Sequence, residues 1–114
     1  MPVELPVSSE APVDEFTSVL DGQLYRFLAM WNGRAERWTL EIQTAAGEPI
    51  LSSAPVLADA PLFEEPRAEL PPGRFLTVDT EGDGTPPGRD ELGGRVVVLY
   101  YTSEEVASGV EIIA

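Results

Sequence analysis

The stretch that decides the fold is Phe16-Thr17-Ser18-Val19-Leu20-Asp21-Gly22-Gln23-Leu24-Tyr25-Arg26-Phe27. An Asp-Gly pair between two runs rich in β-branched and aromatic residues is a strong hairpin signal, because both central positions of the favoured two-residue turn want positive φ. The second run continues through Leu28-Ala29-Met30-Trp31 to a further turn at Asn32-Gly33. Arg37-Trp38-Thr39-Leu40-Glu41-Ile42-Gln43-Thr44 then alternates without a break, with Trp38, Leu40 and Ile42 on one face and Thr39, Glu41 and Gln43 on the other. Ala46-Gly47-Glu48 reverses the chain into Pro49-Ile50-Leu51, so the four runs read as an antiparallel meander.

Outward from the meander the pattern weakens and returns. Five prolines, at 55, 61, 66, 71 and 72, forbid a long helix and leave room for one short strand between Val56 and Phe63. Arg74 to Thr80 and Arg95 to Thr102 have the apolar density of buried strands and are expected at the centre of a sheet. Thr102-Ser103-Glu104-Glu105 has capping-box spacing and predicts one helical turn, and Val110 to Ile113 predicts a last edge strand. The expected fold is all-β: one small antiparallel barrel or sandwich of six to eight strands with helix limited to short turns, residues 14–114 forming the domain and 1–13 an N-terminal extended arm. Its core is expected at Phe27, Trp38, Leu40, Ile42, Phe75, Val96, Val98 and Tyr100.

Composition removes whole classes of function. The 114 residues carry seven arginines, no lysine and twenty Asp plus Glu, a formal charge of −13. Such a field repels phosphates, which argues against nucleic acid and anionic membrane as partners. Cysteine and histidine are absent, and with them disulfides, Cys/His zinc sites, thiol nucleophiles and imidazole bases. The serines have no histidine or lysine to activate them. Carboxylates such as Glu64-Glu65 or Asp79 with Asp83 can be drawn as an acid/base pair, but twenty carboxylates in a chain this short produce close pairs by chance. No enzyme and no cofactor is expected. No apolar run reaches the ~18 residues of a membrane span, and residues 1–10 lack the pattern of a signal peptide, so the chain is expected to stay in the compartment where it is made.

The loop from Glu81 to Gly94 holds five glycines and two prolines in fourteen residues. Read from Asp79, it places Asp79, Glu81, Asp83 and Asp90 near positions 1, 3, 5 and 12 of a calcium loop, though Glu81 is too long for its place and Asp90 too short. The plainer reading is a Pro/Gly connection without metal, in which Asp90 bonds Arg89 or loop N–H groups. Gly88 and Gly93 are then the glycines least replaceable by alanine, if their φ is positive. Both faces of the second strand are apolar, Tyr25, Phe27 and Trp31 against Leu24, Leu28 and Met30. Closure into a second layer explains this first, and a partner protein second.

Taken in order, Leu20-Asp21-Gly22 with Tyr25-Arg26, Trp31-Asn32, Arg34 with Arg37-Trp38, Ala46-Gly47-Glu48-Pro49-Ile50, Leu70-Pro71-Pro72-Gly73-Arg74, Val78-Asp79-Thr80 and the segment Pro87-Gly88-Arg89-Asp90 with Leu92-Gly93 leading into Arg95-Val96 and Leu99-Tyr100-Tyr101 resemble the small baseplate plug proteins of contractile-tailed phages. The likeness spans roughly residues 14 to 102. It implies a structural virion protein of the tail baseplate, made in the cytoplasm of the host bacterium and present in several copies per virion. Its implied neighbours are other baseplate proteins of hub, spike, wedge or tube type. Ala29, Met30 and the acidic Glu81-Gly82-Asp83 depart from the family picture and leave the contact face open. Arginine suits bidentate carboxylate pairing at interfaces, and Arg34, Arg37, Arg74 and Arg89 all lie beside turns. With Trp31 they are the expected partner contacts, at the rim of the β domain. The alternative is a calcium-dependent carbohydrate-binding or adhesive β-sandwich module using Asp79, Asp83 and Asp90.

Overall fold

A computed structural model describes residues 3–63 and 67–107. Among them are eight strands, β1 (Val3–Glu4), β2 (Val13–Leu20), β3 (Gln23–Asn32), β4 (Arg37–Thr44), β5 (Pro49–Pro55), β6 (Pro61–Leu62), β7 (Arg74–Asp79) and β8 (Val96–Tyr101), and one helix, α1 (Ser103–Ala107). They form two four-stranded antiparallel sheets, ordered β2-β3-β4-β5 and β1-β8-β7-β6. The arrangement is a sandwich; the closed barrel that the sequence also allowed is not formed.

The first sheet is the expected meander. Asp21 and Gly22 take φ of 51° and 80°, the geometry of the primed turn, and β2 and β3 pair without interruption from Leu20↔Gln23 to Val13↔Met30. β4 alternates as its sequence does, with Trp38, Leu40 and Ile42 at 0% exposure. β5 is less regular, slipping register against β4 on both sides of Ile42. In the second sheet β7 and β8 hold the centre and pair from Arg74↔Tyr101 to Asp79↔Val96.

All eight expected core residues are buried, none above 5% exposed. An aromatic line joins the layers: Phe16 stacks on Phe27 at 5.1 Å, Phe27 meets Phe75 edge-on at 6.1 Å, and Phe75 lies 4.9 Å from Tyr100. Each such contact is worth ~0.5–1.5 kcal/mol beyond the area it buries. The second layer covers only the Tyr25, Phe27 and Ala29 face of β3, leaving Leu24 and Met30 on the outside at 41% and 37% exposure.

Within the stretch read as an arm, β1 pairs with β8, the Leu5 N–H donates to the Val98 carbonyl at 2.8 Å, and Leu5 and Val7 are buried. The capping box at α1 is complete: the Glu105 N–H donates to Thr102 Oγ1 at 3.2 Å and the Thr102 N–H to Glu105 Oε1 at 2.9 Å. The strand expected at Val110 to Ile113 and the pair Glu64-Glu65 lie outside the described residues.

Candidate functional site

The turn between β3 and β4 organises one end of the sandwich. Asn32 Oδ1 accepts hydrogen bonds from the N–H groups of Arg34 at 3.1 Å and Ala35 at 3.2 Å, an Asx arrangement that holds the chain in its reversal. Glu36 closes the turn at φ 52°, and Arg37 returns opposite Asn32. The register then sets Trp31 across from Trp38, with ring centroids 5.7 Å apart at 60°. On the outer face of the same end, Val13, Met30, Arg34, Arg37 and Pro55 line an open concavity of about 890 Å³, which Trp31, turned inward onto Trp38, borders at its edge. Arg37 is half-buried there, and its Nε is buried with no hydrogen-bond partner among the described residues.

Of the five expected contact residues, Trp31, Arg34 and Arg37 therefore come together. Arg89 lies near them but is engaged within the fold: its guanidinium donates to the Ser9 carbonyl and sits 5.4 Å from the centroid of the Trp38 ring. Arg74 stands at the opposite end, opposite Tyr101. Its neighbours are the Asp21 turn, whose carboxylate accepts from the Tyr100 hydroxyl, and Gly73, whose N–H donates to that hydroxyl at 2.7 Å.

The loop after β7 folds onto the concave end through bonds that the sequence reading did not foresee. Arg95, 6% exposed, donates to Asp79 at 2.8 Å, to Glu91 at 2.9 Å, and to the carbonyls of Thr85 at 3.0 Å and Pro86 at 3.1 Å. Trp38 Nε1 donates to the Gly88 carbonyl at 3.0 Å, which ties the loop to the other sheet. The signal for Arg95 was its place directly before a β-branched run, where a buried cation needs a buried anion.

The electrostatics follow. Burial raises the Asp79 pKa, but the N–H groups of Gly84 and Glu81 and the charge of Arg95 outweigh it and hold the carboxyl below its usual range. The hydrogen bond from Arg95, then the Gly88 N–H, lowers that of Glu91. Asp79 Oδ1 accepts from Glu81 N–H at 3.0 Å, and Oδ2 from Gly84 N–H at 2.7 Å and from Arg95. A carboxylate held ionised in this way has no proton to donate at neutral pH. The four residues proposed as a calcium loop do not converge, and among the described residues no group of three or more His, Cys, Asp or Glu side chains could hold a metal. Asp90 projects outward, 94% exposed and 4.0 Å from Arg89. Of the two glycines singled out for a conditional role, Gly93 has the positive φ, 85°, whereas Gly88 is not among the positive-φ glycines.

A family model described as cyanophage baseplate Pam3 plug gp18 matches residues 3–104, the whole chain apart from its two ends. No curated protein matches it.

Proposed function

The chain belongs to the cyanophage baseplate plug family, a structural and non-enzymatic component of the phage tail baseplate, and on that footing we propose that it docks through the β3–β4 end of its sandwich onto hub or spike proteins. The observation that carries this reading is the concavity in which Arg34 and Arg37 meet the exposed apolar side chains of Val13 and Met30, with the half-buried Trp31 at its border. An aromatic anchor beside arginines, ringed by apolar surface, has the composition of an interface centre. The half-buried Arg37 guanidinium at this surface is a planar cation suited to pairing with a partner carboxylate. Arg89 serves from behind, its contact with Trp38 holding the ring against which Trp31 packs. Arg74 takes no part in this surface.

Co-expression with the neighbouring hub and spike proteins, followed by size-exclusion chromatography, tests the reading. The wild-type chain is expected to co-elute with one of them, and Arg37→Ala and Trp31→Ala to weaken that complex by ~1–3 kcal/mol each, the range for anchors of these types. Arg74→Ala is expected to leave it unchanged. A chain that migrates alone with every tail protein offered, or that loses binding with Arg74→Ala and not with Arg37→Ala, would place the contacts elsewhere.

A further inference from the structure

The two sheets end in four edge strands, and three of these are closed to further pairing. Among the described residues β1 and β6 are two residues long, while β5 begins and ends in proline and slips register against β4. Brevity, proline and bulges are ordinary ways of blunting an edge. β2 has none of them. It runs for eight residues without proline, in unbroken register with β3.

The Trp31 N–H donates to the Pro12 carbonyl at 2.8 Å, and that bond sets the parity of the ladder. Asp14, Phe16, Ser18 and Leu20 exchange bonds with β3, so the N–H and C=O groups of Val13, Glu15, Thr17 and Val19 point away from the sheet. No described backbone group bonds to them. Val13 and Val19 are also 55% and 60% exposed, the most exposed large apolar residues among those described.

We propose that the β2 edge takes up an extended segment of a neighbouring baseplate protein as a fifth strand of the first sheet. This rests on the docking reading above, because Val13 lines the concavity and the free edge runs directly out of it. The charge on the edge selects the occupant. Asp14 and Glu15 lie on β2 of a chain of net charge −13, so a second copy would bring like charge to the edge, whereas a segment with a Lys or Arg opposite Glu15 and apolar residues opposite Val13 and Val19 complements it.

Residue-resolved hydrogen exchange on the free chain and on assembled baseplates tests the proposal. In the free chain the amides of Asp14, Phe16, Ser18 and Leu20 should exchange slowly and those of Val13, Glu15, Thr17 and Val19 fast. In the baseplate the second set should slow by at least about tenfold. Fast exchange persisting there would overturn the proposal, as would slow exchange already in the free chain, which would mean the edge is covered by this chain or a second copy. Thr17→Pro removes one outward donor and none of the bonds to β3, and should lower incorporation into baseplates by about tenfold with the chain still folded. If Thr17→Pro does not fold, Glu15→Lys, which reverses the charge at that position without touching the backbone, should do the same. Incorporation lost with Arg37→Ala but kept with the edge variants would retain the docking end and remove the edge. A chain incorporated into no baseplate at all would remove both.

Discussion

Arg95 and Asp79 form a 2.8 Å ion pair in which the guanidinium side chain is 5% exposed and the carboxylate side chain not at all. The pair sits where β7 ends and β8 begins, and Glu91 completes it from the loop. Removing one partner of a buried pair leaves the other desolvated and unmatched. Arg95→Met is therefore expected to lower the melting temperature by several degrees, against little change for the exposed Arg34→Met.

The same triad predicts acid sensitivity. Asp79 and Glu91 have pKa values lowered in the folded chain, so their contribution is fully present above the unfolded carboxylate values, roughly pH 4. It is lost as pH falls through the lower folded values. Thermal melts from pH 7 to 2 should show the difference between wild type and Arg95→Met shrinking below about pH 4. A difference constant across that range would mean that the triad does not couple to stability.

Tyr100 gives a third prediction. Its hydroxyl accepts from Gly73 and donates to Asp21, and burial first, then the Asp21 carboxylate, pushes its pKa upward. Tyr100→Phe strands the Gly73 N–H and should cost ~1–2 kcal/mol in urea unfolding. Because the ring still fills its place, the slope against urea should not change.

The glycines separate by geometry. A Cβ on Gly73 would lie 1.9 Å from the Tyr101 carbonyl oxygen, and one on Gly93 2.3 Å from that of Val7, the latter at φ 85°. Gly73→Ala and Gly93→Ala are each expected to cost ~2–3 kcal/mol. At Gly88 the nearest atom is Glu91 Oε1 at 3.0 Å, a side-chain oxygen that Arg95 and the Gly88 N–H hold but that can shift more readily than backbone, so Gly88→Ala should cost less than either, ~1 kcal/mol by the same unfolding measurement.

Calcium at millimolar concentration is expected to leave the melting temperature unchanged. The Asp79 oxygens are occupied by Arg95 and two backbone N–H groups, and without binding to the native state there is no linked stabilisation. A rise of several degrees would restore the calcium-dependent adhesive alternative.

The meander was legible because its signals are local: Asp21-Gly22 for the turn, Trp38, Leu40 and Ile42 for the face, Thr102 and Glu105 for the cap. β1 was hidden because two residues between prolines 2 and 6 carry no period. The site was legible in part for a related reason. Trp31, Arg34 and Arg37 flank a single turn and must stay together, whereas the end at which Arg74 emerges depends on how many times the chain reverses before it, and the irregular stretch before β7 conceals that count. The role of Arg95 depends on Asp79, on the neighbouring strand, and is fixed only once β7 and β8 pair.

The pairing of Val3 with Tyr100 bears on the order in which the chain folds. The meander needs only contacts between consecutive strands and can form as soon as Thr44 and Leu51 have left the ribosome. Leu5 and Val7, in contrast, have no permanent place until Val98 has been made. Closing so long a loop is entropically costly and slow compared with hairpin formation. The second sheet is thus expected to be completed after the first, with β1 among the last parts to lock.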